Sequence, residues 1–260
     1  MLRESKIIGC VFTTDSASVG YINSTFVLRE ERRLGTAAVL MDALEEDFAK
    51  RGGNVRFLTT RAGSPAQGLF EKLGYRVVYE RSERTGMEKH YGNHVWNDYF
   101  HIDPRDLVVE DMAWAHWVPH RALMWNRPTA LPRPLGGDFM SRVHETLGGG
   151  RSVWKGLATP DGRLIGDAVL RQCDTWDGSS CEKTHVLDLH VHPGSETALE
   201  ILLDAVLPLS GRAQTFLDGA SEAMIRFFLG HGFALESSLR DNFNHHYPSA
   251  PDTQVYAKNL

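Results

Sequence analysis

Arg32, Arg33, Leu34, Gly35, Thr36 and Ala37 form the stretch of this chain whose residue types and spacing could do chemistry. An apolar run over residues 21–28 leads into it. It opens directly into residues 37–45, whose apolar positions recur at helical spacing. A helix start leaves backbone N–H groups without intrahelical acceptors, and the helix dipole adds partial positive charge there. Such a turn favours an anion, a pyrophosphate for example. Gly35 permits close backbone approach, Thr36 and Ala37 add little bulk, and Arg32 and Arg33 bring forked cationic donors suited to phosphate. A strand-to-helix turn with one Gly is also a common structural connection, so the window alone leaves both readings open.

Other residues invite chemical readings and have plainer ones beside them. Asp188, His190 and His192 alternate along one predicted strand, and His245 is next to His246. Alternation of this kind could present a metal set, but any half-exposed strand shows it too. No Cys-x-x-Cys or His-Glu-x-x-His spacing occurs, so no metal is expected. Cys173 and Cys181 flank a Gly/Ser/Asp loop; two free thiols are expected, with a disulfide as the alternative. Trp114, Trp117 and Trp125 have approximate helical spacing and are expected in core or interface packing, with a ligand wall as the alternative. The acidic run 42–47 is expected on a solvated helix face. Tyr21 and Asn23 could line a substrate pocket beside the strand end, while Tyr21 also fits a plain strand aromatic.

The elements that must position these groups follow from periodicity and breakers. Strands are expected over 6–14 and 21–28, then a helix to about residue 50 that Arg51-Gly52-Gly53 ends. A strand over 54–60, a helix over 65–73 stopped by Gly74, and strands over 76–80 and 85–91 follow. Residues 91–104 read as a polar, aromatic linker, with Gly92-Asn93 and Asp103-Pro104 as breakers. Beyond it, 111–125 can be helical, 128–137 is a proline-rich loop, and 138–147 is a helix. Strands over 152–158, 163–172, 185–192, 212–217, 233–238 and 254–258 alternate with helices over 196–207 and 222–229. This alternation predicts an α/β (α+β) protein built of two mixed sheets flanked by helices.

Two motifs at a fixed separation resemble the GNAT acyltransferase superfamily. Arg32-Arg33-Leu34-Gly35-Thr36-Ala37 is similar to that family's Arg/Gln-x-x-Gly-x-Gly/Ala turn. Leu69-Phe70-Glu71-Lys72-Leu73-Gly74-Tyr75 is similar to its Leu-Tyr-Glu-Lys-Leu-Gly-Phe helix ending. The resemblance implies acetyl-CoA as co-substrate. Its pantetheine would lie along Phe26, Val27 and Leu28, its pyrophosphate on the N–H groups of Arg33 to Ala38, and its thiol near Phe70. It also implies polarisation of the thioester carbonyl by backbone N–H groups near Phe26 to Leu28. The family's usual acid, a tyrosine, is replaced here by Phe70. The place of its usual glutamate base is taken by Leu58 and Thr59, and that of an asparagine by Gly63, so no catalytic residue is named.

The chain repeats this plan. Phe228-Leu229-Gly230-His231-Gly232-Phe233 aligns with Phe70 to Tyr75, and Val191 aligns with Val27. Where the first copy has its basic turn, the second has Pro193-Gly194-Ser195-Glu196-Thr197. The expected organisation is a first domain over 1–92 that carries the acyl-CoA turn and lacks the family's N-terminal elements, and a degenerate GNAT-like domain over 93–260. In layout it resembles the tandem antibiotic N-acetyltransferases of the bleomycin type. The missing elements usually build much of the acceptor wall. Either the true start lies upstream of Met1, or the wall is supplied by a partner subunit or by the second half, which is expected to dock extensively on the first with 113–125 nearby.

Composition bounds the function. The chain has 260 residues, with 42% hydrophobic and 23% charged, ordinary for a globular protein. A formal net charge of −5 argues against a general nucleic-acid binder. No apolar run of membrane-spanning length and no signal-peptide core appears, so no membrane partner and a cytoplasmic location are expected. The expected activity is acetyl transfer from acetyl-CoA to the amine of a small molecule, an antibiotic-like metabolite by analogy. The alternative is a CoA-binding or structural protein without turnover. Homodimer formation is left open.

Overall fold

The structure, a computed structural model, describes residues 1–3, 6–16, 18–81, 83–93, 95–126, 152–172, 184–207, 210–217, 222–239 and 253–260. The expectations for the loop at 128–137, the helix at 138–147, Cys173, Cys181, His245 and His246 lie outside these residues. The chain divides into two compact units, Met1–Tyr99 and Phe100–Leu260.

In the first unit, β1 (Leu2–Arg3) and β2 (Lys6–Ile7) pair as a short antiparallel hairpin. A five-stranded mixed sheet follows, from β3 (Gly9–Ser16), β4 (Val19–Val27), β5 (Val55–Arg61), β6 (Arg76–Arg81) and β7 (Arg84–His90), in the order β3-β4-β5-β7-β6. The strand expected over 6–14 is thus split at Ile8, whose N–H donates to Met1 C=O at 3.1 Å. β4 and β5 are parallel, so a crossover must join them, and α1 (Thr36–Lys50) supplies it. α2 (Pro65–Lys72) connects β5 to β6. Its start is capped twice: Gln67 N–H donates to Ser64 Oγ, and Gln67 Oε1 accepts from Gly63 N–H. Ile22, Met41, Leu58, Phe70, Tyr75 and Met87 form the core between the helices and one sheet face.

Helix α1 corrects one expectation. Thr36, Met41, Glu45 and Phe48 are its buried positions, the last three at spacings of one turn, so the acidic run is not wholly solvated. The reason is Arg56 on β5, a fully buried guanidinium that requires counter-charge. It donates to Asp15 at 3.2 Å, lies 3.6 Å from Glu45 and stacks 4.1 Å from the Phe48 ring centroid. Glu45 also accepts a 2.6 Å bond from Tyr75 Oη, within reach of Lys89 at 3.3 Å. Burial first, and then the Glu45 charge, push the Tyr75 hydroxyl far above its ordinary value. Asp42, Glu46 and Asp47 are exposed as expected.

The stretch expected as a linker holds a helix, α3 (Val95–Phe100). Val95 and Tyr99 recur at i,i+4 and give it an apolar stripe, which six residues and polar flanks conceal in the sequence. Within the first unit, the Trp96 ring meets Phe57 at 5.9 Å and its indole N–H donates to Glu88 at 3.0 Å. Phe57 and Glu88 are cross-strand partners. Trp96 therefore packs on the sheet face opposite α1.

The second unit has a seven-stranded sheet ordered β13-β14-β12-β11-β10-β9-β8. Its strands are β8 (Val108–Asp111), β9 (Ser152–Ala158), β10 (Leu164–Gln172), β11 (Thr184–Val191), β12 (Arg212–Leu217), β13 (Ala234–Leu239) and β14 (Thr253–Asn259). Its helices are α4 (Trp117–Trp125), α5 (Leu199–Val206) and α6 (Glu222–Gly230). The subset β10-β11-β12-β14-β13 repeats β3-β4-β5-β7-β6 with the same pairing senses, and β9 and β8 extend it. The first sheet has no counterpart of β8 or β9 among the described residues.

Helix is confined to the latter part of 111–125, because Val108–Asp111 pairs as an edge strand with β9. α4 buries Val118, Pro119, Ala122 and Leu123. Trp114 is exposed, and Arg121 lies 5.2 Å over Trp117, so the tryptophans are not the core stripe of this helix.

Candidate functional site

The parallel pair β4–β5 positions the site. Its ladder runs from Val19 opposite Val55 to Ile22 opposite Leu58 and stops there. β4 continues to Val27, held by β3, and β5 continues to Arg61, held by β7. Each strand is thus kept in the sheet by its outer neighbour while the inner edges part. The result is a wedge whose facing backbone groups have no ladder partner across it. A β-bulge marks its origin. Phe12 pairs with Ser24 and Thr13 with Ile22, leaving Asn23 as the extra residue. The Asn23 side-chain amide donates to Thr14 Oγ1 at 3.0 Å.

Where β4 ends, the expected anion turn begins. Arg29–Glu31 makes one 3₁₀ turn, and α1 starts at Thr36 with Gly35 as its N-cap at φ 84°. Arg33, a non-glycine, is also left-handed at φ 64°. Such backbone costs about 1 kcal/mol or more and persists where the surroundings impose it. Left-handed residues within a turn are the conformation from which an anion nest of successive N–H groups is built. Among the described residues, the N–H groups of Arg33, Leu34, Gly35, Thr36, Ala37 and Ala38 donate to no backbone carbonyl. The first to do so is Val39, to Gly35 C=O at 3.1 Å. Space is available as well: a Cβ built on Gly35 would meet nothing within 4 Å. Thr36 Oγ1 braces the loop by donating to Glu31 C=O, and Arg32 Nε donates to Val27 C=O at 3.1 Å.

The remaining predicted positions separate. Leu34 is 65% exposed beside the turn. Phe26 and Val27 line the free part of β4, whereas Leu28 N–H is already donated to Ile8 C=O at 3.0 Å. Thr25 Oγ1 is a buried acceptor with no partner on the same stretch of strand. Phe70 lies in the apolar core, 5.5 Å from the Tyr75 ring. Tyr21 is buried, and its hydroxyl crosses from β4 to Thr59 Oγ1 on β5 at 3.2 Å. The bulge and this hydroxyl pair were invisible to sequence reasoning, because both depend on the register of strands far apart in the chain.

The second unit repeats the parting of strands and not the turn. β11 and β12 pair from Thr184 opposite Arg212 to Leu187 opposite Thr215, and Asp188 to Val191 continue beyond. At its end, Gly194 N–H donates to the Glu196 carboxylate at 3.0 Å. A fixed negative charge thus occupies the turn that the first unit leaves open. The residues suspected as a metal set are otherwise engaged: Asp188 accepts from Arg171, His190 faces Asp167, and His192 stacks 3.9 Å from Phe100. Among the described residues, no group of three His, Cys, Asp or Glu could hold a metal, and no helix is long and apolar enough to cross a membrane.

Part of the chain is similar to known proteins. A sequence profile described as an acetyltransferase (GNAT) domain matches residues 1–90. The match covers about a third of the chain, and the second unit carries the same sheet order as the matched part. Among solved structures, Ard1 from Thermoplasma volcanium is similar at 19% identity and TM-score 0.32, over 34% of this chain and 65% of its own. The chain thus spans somewhat less than two thirds of that relative. A GCN5-related N-acetyltransferase from Kribbella flavida is similar at 15% identity and TM-score 0.44, over 61% of this chain and 100% of its own. A phosphinothricin acetyltransferase from Sinorhizobium meliloti, in complex with AcCoA, is similar at 15% identity and TM-score 0.45, over 60% and 89%. No curated protein sequence matches the chain.

Proposed function

We propose that the first unit binds acetyl-CoA and transfers its acetyl group to the amine of a small molecule in the cytoplasm. One observation carries the reading: the β4–β5 wedge leads, within one strand, into a turn whose N–H groups donate to no backbone carbonyl among the described residues and whose cap leaves room for phosphate. The pyrophosphate would rest on the N–H groups of Arg33 to Ala38, with Arg32 and Arg33 adding charge. The pantetheine would extend the sheet along Phe26 and Val27, pairing with backbone groups that β5 leaves unmet. Leu28 N–H is spoken for, so carbonyl polarisation falls to donors nearer the bulge. Orientation of amine and thioester in the wedge supplies much of the acceleration. By analogy with tandem antibiotic N-acetyltransferases, the acceptor is an antibiotic-like metabolite.

A second reading is a CoA-binding protein without turnover. The burial of Phe70 and Leu58 favours it, since neither position presents an acid or base. Calorimetry with acetyl-CoA and CoA, followed by thiol release over an amine panel, separates the two. Binding with release supports transfer, and binding without release supports the second. Absence of binding removes both.

A further inference from the structure

We propose that the hydroxyl of Tyr21, oriented by Thr59, is the proton relay of acyl transfer in the first unit. The inference rests on the acetyl-CoA reading above and adds a residue to it.

Amine acylation moves two protons. The attacking nitrogen must lose one as it bonds to the thioester carbon, and the departing sulfur must gain one as the carbon–sulfur bond breaks. A single hydroxyl can do both by passing its own proton to sulfur while taking the nitrogen's, and it ends unchanged. It must sit where the two strands part, because there the thioester meets the acceptor. Tyr21 is one residue before the last paired rung, Ile22 opposite Leu58, and Thr59 is the first residue of β5 beyond it. The hydroxyl pair, 3.2 Å apart, therefore lies across the origin of the wedge, next to the bulged Asn23.

Packing fixes this placement. The Tyr21 ring meets Phe57 edge-on at 5.2 Å, and Phe57 meets Trp96 at 5.9 Å. A strand aromatic that served only packing would have no use for a hydroxyl here. Phenylalanine would make the same ring contacts, and a buried hydroxyl has to be matched to a partner. Position counts equally. Ile22, on the α1 face, packs with Phe70, whereas Tyr21, its neighbour in the strand, points to the opposite face.

Tyr21→Phe and Thr59→Val test the relay. Calorimetric titration with CoA comes first. If the parent binds no CoA, the acetyl-CoA reading fails, and the relay with it. If CoA binds equally to parent and Tyr21→Phe, the fold and wedge are intact in the variant. The thiol of bound CoA is then titrated through its thiolate absorbance. The expected midpoint in Tyr21→Phe is higher by about one pH unit, because the sulfur anion has lost a charge-assisted hydrogen bond. Thr59→Val should shift it the same way by less. Thiol release by Tyr21→Phe should fall by about 10²-fold in kcat with KM for acetyl-CoA unchanged. The deficit should shrink with an acetyl thioester of a more acidic thiol. An unchanged midpoint, or a Tyr21→Phe rate within about twofold of the parent, overturns the proposal.

Discussion

His190 Nδ1 lies 3.2 Å from Asp167 Oδ1 across the β10–β11 ladder, and the equivalent rung of the first sheet holds Phe26 opposite Cys10. In the second unit this sheet face is closed: Asp167 is fully buried and also accepts from the Trp154 indole at 2.7 Å, with His120 of α4 at 3.9 Å. In the first unit, Phe26 is 47% exposed and Phe12, two strand positions from Cys10, is 62% exposed. Trp154 and His120 belong to β9 and α4, elements that precede the repeated strands in the second unit. The same sheet position is thus an ionic anchor in one copy and open apolar surface in the other.

That anchor makes the second unit acid-sensitive. Burial raises the Asp167 carboxyl, but the charge and hydrogen bond of His190, then His120 and Trp154, outweigh it and hold the group at about 2, against an ordinary 3.8. A folded value below the unfolded one means the unfolded chain binds more protons between these limits. The contribution is complete above about pH 4 and is lost as pH falls through 2. It amounts to about 2 kcal/mol. Asp167→Asn should destabilise the unit by about 3 kcal/mol, since the histidines lose their counter-charge, and should flatten the acid limb of the stability profile. Urea unfolding between pH 2 and 6 measures both effects. An acid limb unchanged by the substitution would remove Asp167 from the explanation.

The proposed phosphate turn predicts a stoichiometry. Gly35 is left-handed at φ 84°, and Glu196 already occupies the Gly194 N–H of the second unit. The full chain should bind one CoA. Gly35→Asp should abolish that binding by placing bulk and negative charge where phosphate must approach. Gly35→Ala should weaken it less, through a strain cost of about 1 kcal/mol. Two CoA per chain in a calorimetric titration, or parental affinity in Gly35→Asp, would contradict the assignment.

How much of this was legible in the sequence depends on the range of the interactions. The turn was readable because Arg32 to Ala37 are contiguous and their effect is local. The double sheet was readable because strand and helix periods survive in both copies. The wedge was not, since it comes from where the Ile22–Leu58 pairing stops, and no local pattern marks that rung. Glu45 was assigned to solvent because its helix is acidic; only the distant Arg56 explains its burial. β8 was not read, and its last residue, Asp111, was taken into the following helix, because Val108 and Val109 are too short a run to announce an edge strand without the β9 partner.

Arg56 gives the first unit its own ionic weak point. It is fully buried, between Asp15, Glu45, the Leu44 carbonyl and the Phe48 ring. Removing one partner from a buried charge network typically costs about 3–5 kcal/mol, because the other charge is left stranded. Arg56→Ala should therefore unfold the first unit at markedly lower urea concentration. Arg56→Lys should restore only part of the loss, since an ammonium cannot replace the forked contacts. Parental stability in Arg56→Ala would show that Asp15 and Glu45 are satisfied without it.

Helix α3 carries the last prediction. Trp96 is one side chain through which this short helix meets the sheet of the first unit: its ring lies against Phe57, and its indole donates to the buried Glu88 carboxylate. Two substitutions separate these contributions. Trp96→Phe keeps most of the ring area and removes the donor. It should cost about 1.5–3 kcal/mol, the range for a hydrogen bond to a charged group. Trp96→Ala removes both and should cost about 3 kcal/mol, toward the lower end for a tryptophan because this one is half-buried. The effect should reach the wedge in the second variant alone. With Trp96 gone, Phe57 loses its cover, and the Tyr21 ring that leans on Phe57 gains room to turn away from Thr59. Trp96→Ala should then lower thiol release more than its residual folded fraction accounts for, while Trp96→Phe tracks its folded fraction. Urea unfolding gives the folded fraction and the thiol-release assay the rate. Equal specific activity per folded molecule in both variants would confine α3 to a packing role.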